Sequence, residues 1–280
     1  MVKIIISRKG FDEKSGGEAS PIFNNKLISF PIPRADSGIF YKQMFFEKNY
    51  TYLKVMKDLG IRQYSEAHID PDLIYSIIPN RHPKWKSAFG QSGIAQATLA
   101  RAGIEKGDLF LFFGWFKKVD IIDNKFKYLE GRGPDKGFHA VYGYLEVGDV
   151  IDLTDSSVRI PEGIQDHPHV LNRLDYEGPN SIYIATEQLS FDNSKPGSGC
   201  FYFQDNLVLT QPGLRKSNWL LPTFFKEVRR DFNAKIIFGD IIESKVKITT
   251  KGKTQQEFFI SSANQAVEWA KQVILQSEVY

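Results

Sequence analysis

The sequence predicts an α+β fold, a single domain over residues 1–280 around a largely antiparallel sheet with a few short helices. Three observations carry that expectation. Residues 109–116, Leu-Phe-Leu-Phe-Phe-Gly-Trp-Phe, hold no charge, which fits a strand buried on both faces. Strand-like and helix-like segments are interspersed without the strict alternation of a doubly wound sheet. No internal repeat and no low-complexity linker divides the chain.

Taken in order, Val2 to Ile6 is a short, β-branched run that reads as a core strand. It leads into Ser7-Arg8-Lys9-Gly10-Phe11-Asp12 and Gly16-Gly17, so two cations stand at its end beside glycines. Lys26 to Pro33 reads as extended, ended by the prolines that flank Ile32. Asn49 is placed to cap a helix from Tyr50 to Leu59, with Val55, Met56 and Leu59 inward and Gly60 as its stop. His68-Ile69-Asp70-Pro71-Asp72 suits neither regular element and reads as a loop. Gly90 to Gly103 predicts a second helix, supported by Ile94, Ala95, Ala97 and Leu99.

Gly107-Asp108 then turns the chain into the uncharged strand. A polar, glycine-rich excursion from Asp120 to Gly137 separates it from an antiparallel partner, His139 to Val147. Asp152 to Asn180 reads as a long loop, Ser181 to Ala185 as a strand and Asp192 to Gly199 as a turn or loop. Asn218 to Pro222 leads into Phe224-Phe225. The chain closes with a strand, Glu257 to Ile260, and a helix begun by the capping-box pattern Ser262-Ala263-Asn264-Gln265.

At 280 residues, 42% hydrophobic and 25% charged, the chain can bury a substantial core and is not disordered. A net charge of +3 makes no broad field for a polyanion, so contact with nucleic acid has to be local. Cys200 is the one cysteine and forms no internal disulfide; with no signal segment and no apolar run of spanning length, the expected location is cytoplasmic, without a membrane partner. The 22 Phe, 12 Tyr and 4 Trp supply core volume first and stacking platforms for bases second.

Each candidate for chemistry carries a structural alternative. Arg8 and Lys9 beside glycines make an anion cradle, or are ordinary charges next to a turn. His68, Asp70 and Asp72 occupy alternate positions, so an extended segment turns all three one way, as a metal site or an acid/base pair requires. Asp-Pro-Asp is equally a turn in which Asp72 caps the next element; on so short a pattern no metal is assigned and acid/base catalysis stays open. In His167-Pro168-His169 the proline fixes the backbone between two rings, which suits a ligand pair or a loop anchor, and a three-histidine zinc site needs the fold to bring in His68 or His139. Gln91 and Gln96 near a helix start offer amides to a base edge, or simply cap the helix with Ser92. Cys200 is a candidate nucleophile or a small buried hydrophobe. Walker, dinucleotide and nucleophile-elbow patterns are absent.

Ser7-Arg8-Lys9-Gly10-Phe11-Asp12 with Gly16-Gly17, His68-x-Asp70-Pro71-Asp72, Gly90-Gln91-x-Gly93-x-Ala95-Gln96, the 107–116 run and Ser217-x-Trp219-x-Leu221-Pro222 occur in that order. Together they resemble the third class of nucleotide modification associated domains, a family of bacteria and phages linked by gene neighbourhood to DNA base modification. The resemblance extends to Gln256-Glu257-Phe258. It implies DNA or a nucleotide as ligand and other modification-system proteins as partners, but supplies no reaction, no cofactor and no catalytic role. It adds weight to Arg8, Lys9, Asp12, His68, Asp70, Asp72, Gln91, Gln96, His139, His167 and His169 as site residues.

The leading expectation is a protein of a DNA-modification or phage-defence system that recognises a nucleotide or modified base. Ser7, Arg8 and Lys9 then meet phosphate, Gln91 and Gln96 read base edges, and Trp115 or Tyr142 stacks on the base, with His139 beside them. The alternative is an enzyme acting on such a base, a transferase or base-excising glycosidase, in which Asp12, His68, Asp70 and Asp72 are the acid/base groups. An enzyme needs carboxylates and histidines to converge in one pocket, whereas a reader needs an aromatic cage and donors.

Overall fold

The computed structural model describes residues 1–129, 137–228, 236–250 and 256–280. Its centre is the Leu109–Ile122 strand, whose first eight residues are all buried. Ile4–Arg8 lies parallel to it, Ile4 opposite Leu109, and Phe138–Asp152 lies antiparallel on its other side. The main sheet runs in the order Glu257–Ser261, Ile4–Arg8, Leu109–Ile122, Phe138–Asp152, Asn180–Ala185, Ala88–Ser92. Among its described residues only Ile4–Arg8 and Ser20–Phe23 pair parallel, both to the central strand, so the α+β fold around a largely antiparallel sheet stands.

Aromatic packing bends this sheet. Phe89 near one edge meets Phe110 and Phe112 of the central strand at ring distances of 5.0 and 5.2 Å. The two outermost strands consequently meet through side chains: Gln91 Nε2 donates to Gln256 Oε1 and to Glu257 Oε1, each at 2.9 Å. The closing helix, Asn264–Leu275, buries Ala266, Ala270, Val273 and Ile274 against the same core, the spacing of one helical face. A second cluster surrounds the Tyr52–Asp58 helix with Phe11, Phe30 and Phe46, and the far end of the central strand enters it through Val119. A smaller third cluster lies under Ile151, Ile164 and Ile182. Among the described residues no helix is long and apolar enough to cross a membrane.

Several local expectations change. Thr51, not Asn49, caps the first helix, its side chain accepting the Lys54 N–H, while Gly60 ends it at φ +90° as anticipated. The second helix begins only at Gly93, because residues 88–92 form a strand paired with Asn180–Ala185, and pairing along five residues outcompetes an extra helical turn. Its inward face is Gln96, Thr98 and Leu99, and Ile94 is 87% exposed. The Asp120–Gly137 excursion starts as a hairpin, Lys125–Tyr128 folding back through Asp123 and Asn124 in left-handed conformation; residues 130–136 lie outside the described ones.

Asp192–Pro196 and Ser198–Cys200 are strands rather than a turn, the second paired with the Gly143–Leu145 stretch. The 152–180 segment holds short 3-10 turns and the Pro168–Leu171 helix. Lys26 to Pro33 breaks into two short strands with different neighbours. The position capping the last helix is Ala263, which has no side-chain cap.

Replacing Phe112, which is fully buried, with Ala is expected to cost about 3–5 kcal/mol of stability in urea unfolding. Ile94→Ala should stay within about 0.5 kcal/mol of the parent, since that side chain stands in water.

Candidate functional site

A cavity of about 430 Å³ opens where the two sheet edges meet, a volume suited to a small ligand. Arg8, Lys9, Lys14 and Arg34 line it against two carboxylates, Asp12 and Asp70, so its charge favours an anion. His68, Gln91, His169, Tyr176 and Gln256 complete the polar wall. A hollow of about 30 Å³ lined by Tyr52, Tyr142 and Cys200 is largely apolar and has room for about one water.

The floor is built by a backbone bridge. Asp72 exchanges both of its backbone hydrogen bonds with Ala88, at 2.9 and 3.0 Å, which lays the 70–72 segment along the edge strand. Asp70 is thereby delivered to the Gly90 N–H, which donates to its Oδ1 at 2.7 Å. Glycine is required at that point: a Cβ on Gly90 would come within 2.3 Å of the His169 ring. His167 begins the Pro168–Leu171 helix, its Nδ1 accepting the His169 N–H at 3.2 Å, and its Nε2 stands 3.5 Å from Asp70 Oδ1.

The Asp70 side chain is 6% exposed. Burial alone would raise its carboxyl, but His167, His169 and His68 together outweigh that and hold it well below the usual carboxylate range. Burial lowers His68 to about 3 and His169 to about 4, so near neutral pH both imidazoles carry a free lone pair. His169 Nδ1 lies 2.7 Å from Asn180 Oδ1; with that oxygen as acceptor, Nε2 is the lone-pair nitrogen. Tyr176 stacks on His169 at 4.4 Å, and the Arg34 guanidinium lies 4.5 Å from the Tyr176 centroid while donating to its hydroxyl.

At the rim, the N-terminal loop differs from the anticipated backbone cradle. Asp12 Oδ1 accepts the N–H groups of Lys14 and Ser15, and the Asp12 carbonyl accepts Gly17 N–H. These turn bonds engage the Lys14, Ser15 and Gly17 N–H groups, and Asp12 is a turn-forming residue that also pairs with Arg8 at 3.4 Å. A Cβ on Gly16 would run into the Phe11 ring, so this glycine is there for packing. Lys9 is buried over the Phe89 ring at 4.4 Å and donates to Gln256 Oε1 at 2.8 Å. Burial lowers its ammonium, while Glu257 and Asp70 pull it back up.

Of the residues singled out in the sequence, Arg8, Lys9, Asp12, His68, Asp70, Gln91 and His169 share the cavity lining. The others are placed elsewhere. Asp72 is held in a buried two-pronged pair with Arg81 at 2.9 and 2.7 Å, and Gln96 joins Ser181 to Tyr183. Ser7 is fully buried in the strand. Tyr142 lies in the core against Phe112 and Phe116, and Trp115 packs under Lys216, so neither ring reaches the cavity. His139 accepts the Trp219 indole N–H at 3.1 Å inside an aromatic cluster with Phe113. Cys200 is buried with its thiol pushed up to about 12, which leaves no thiolate for nucleophilic attack.

Sequence reasoning gave no role to Arg34, Tyr176 or Asn180, which sit in segments without periodicity; Gln256 was present only as the end of a family motif. The fold and site define an α+β protein with a cationic cavity closed at its floor by a buried carboxylate among histidines. The family model for nucleotide modification associated domain 3 matches residues 3–260, and the chain belongs to that family. No curated protein and no solved structure matches it.

Burial, with Arg8 and Lys216 adding to it, lowers His139 to about 3, below the 6.5 of an unfolded chain. The unfolded state alone takes up this proton as pH falls below 6.5, so stability is lost in that direction. Between neutral pH and about pH 5 the loss from this residue is about 2 kcal/mol. Unfolding of wild type and His139→Phe at both pH values should show the variant losing less by roughly that amount.

Proposed function

We propose that this protein is an enzyme of a bacterial or phage DNA-modification system, and that its cavity takes an anionic nucleotide unit, free or in DNA. One observation supports the enzyme reading over simple recognition: a buried ionised carboxylate and two neutral imidazoles converge on the floor of a cationic cavity. The aromatic cage that recognition calls for has little support, because Trp115 and Tyr142 face away and Tyr176 is already stacked on His169 beneath Arg34. In this reading Arg8, Lys14 and Arg34 meet phosphate, and Gln91 and Gln256 border the base.

Asp70, ionised at neutral pH, stabilises positive charge that develops on the bound unit. His169, its ring oriented by Asn180, sets a lone-pair donor at the cavity floor beside that carboxylate. Neither imidazole is protonated near pH 7, so the same groups do not serve as general acids in the resting protein. Other proteins of the modification system are the partners that would supply or use the altered base.

Mononucleotides, unmodified DNA and modified phage DNA would be incubated with the protein and their nucleosides analysed by mass spectrometry, with binding measured separately. Arg8→Ala is expected to weaken binding about tenfold and to flatten its salt dependence. Asp70→Asn should keep binding within about threefold while product falls by about 100-fold or more. Full product from Asp70→Asn removes that residue from the chemistry. Binding by wild type with no altered nucleoside from any substrate overturns the enzyme reading in favour of recognition.

A further inference from the structure

We infer that His68, Asp70 and His169 form a binding site for one divalent first-row transition-metal cation of the zinc or ferrous type. One ligand atom from each lies within 4.8 Å of the other two. His68 Nε2 is 3.9 Å and His169 Nε2 3.8 Å from Asp70 Oδ2, too far for a hydrogen bond and too close for a ligand group to stand between them. Two ligands of one ion with bonds of about 2.0–2.2 Å stand roughly 3.0–3.5 Å apart, so an ion would draw each of these two nitrogens toward Oδ2 by about half an ångström.

The hydrogen bonds around the cluster divide the two oxygens of Asp70. Oδ1 receives the Gly90 N–H and faces His167, whose Nδ1 is taken by a backbone N–H and whose proton therefore sits on Nε2. Oδ2 is left facing two imidazole nitrogens. With Asn180 holding the proton of His169 on Nδ1, the His169 Nε2 lone pair and Asp70 Oδ2 are acceptors turned toward each other, with no donor from the described residues hydrogen-bonded between them. His68, 6% exposed, has its Nδ1 buried without a hydrogen-bond partner among the described residues. A cation at the centre takes the lone pairs that Asp70 Oδ2, His169 Nε2 and the facing His68 Nε2 turn toward one another, and the His68 proton then sits on Nδ1.

Donor chemistry selects the class of ion. Two imidazoles and one carboxylate suit zinc or ferrous iron, whereas calcium and magnesium prefer all-oxygen sites. Asn180 behind His169, and Gly90 with His167 behind Asp70, form the outer support that metal ligands ordinarily have. Three protein ligands beside an open cavity leave a coordination position for water or substrate. His167 orients the carboxylate and is not itself a ligand.

The inference is tested without any nucleotide present, so its outcome is independent of the enzyme reading. Protein stripped with a chelator would be titrated with Zn²⁺ against a competing chelator and with Co²⁺ by visible absorption, with Mg²⁺ and Ca²⁺ as comparisons. One equivalent of Zn²⁺ or Co²⁺ is expected, raising the wild-type melting temperature. Asp70→Asn, His68→Ala and His169→Ala should each weaken it by more than about 100-fold, and Asn180→Ala by about 10–100-fold. His82→Ala, an exposed histidine away from the cavity, should leave it unchanged. No stoichiometric uptake by folded wild type, uptake undiminished in folded ligand variants, or a preference for Mg²⁺ or Ca²⁺ overturns the inference.

Discussion

Because Phe89 packs on Phe110 and Phe112, the sheet is bent until its outer strands face one another across an aromatic filling. Everything at the site depends on that bend. The end of the first strand, the 88–92 strand and the start of the 257–261 strand are brought to one opening, although the sheet order places the last two at opposite edges. Closing the opening removes Lys9, Gln91 and Glu257 from water, and each of them needs a partner there. They find one another and Gln256, so the seal between the edges is polar and the cavity above it is charged.

The second constraint is the buried carboxylate beneath that seal. A carboxylate out of water stays ionised only where donors and positive potential surround it, and Asp70 has the Gly90 N–H, His167 and the nearby Lys9. Asp72, two residues on, meets a different fate in the Arg81 pair. Alternate residues share a side only in regular extended chain, and strand geometry here ends at His68. The same turn in the chain sends one carboxylate into the cavity and the other into the fold's support.

Composition and local pattern alone determined a good deal: the buried central strand, its antiparallel neighbour, the first strand ending in Arg8 and Lys9, and the helix stops at Gly60 and Gly103. These depend on uncharged runs and on glycine in left-handed backbone, which neighbouring residues dictate. His68 and Asp70 could be marked as candidates because polar residues of that type stood outside any periodic element. The family resemblance likewise rested on motifs readable in order along the chain. Where local pattern misled, as at Gly90–Ser92, a long-range strand pairing outweighed it.

Tertiary structure alone decided which candidates belong together. His169 is 99 positions from Asp70 and Gln256 is 165 from Gln91, yet each pair meets at the cavity. Nothing local in the sequence separates His139, sealed in an aromatic cluster, from His169, facing a carboxylate. Both are buried histidines, and only the register of the strands and the bend of the sheet decide whether the ring faces Trp219 or Asp70. Side-chain chemistry was written in the chain, whereas convergence came from backbone pairings between segments far apart in it.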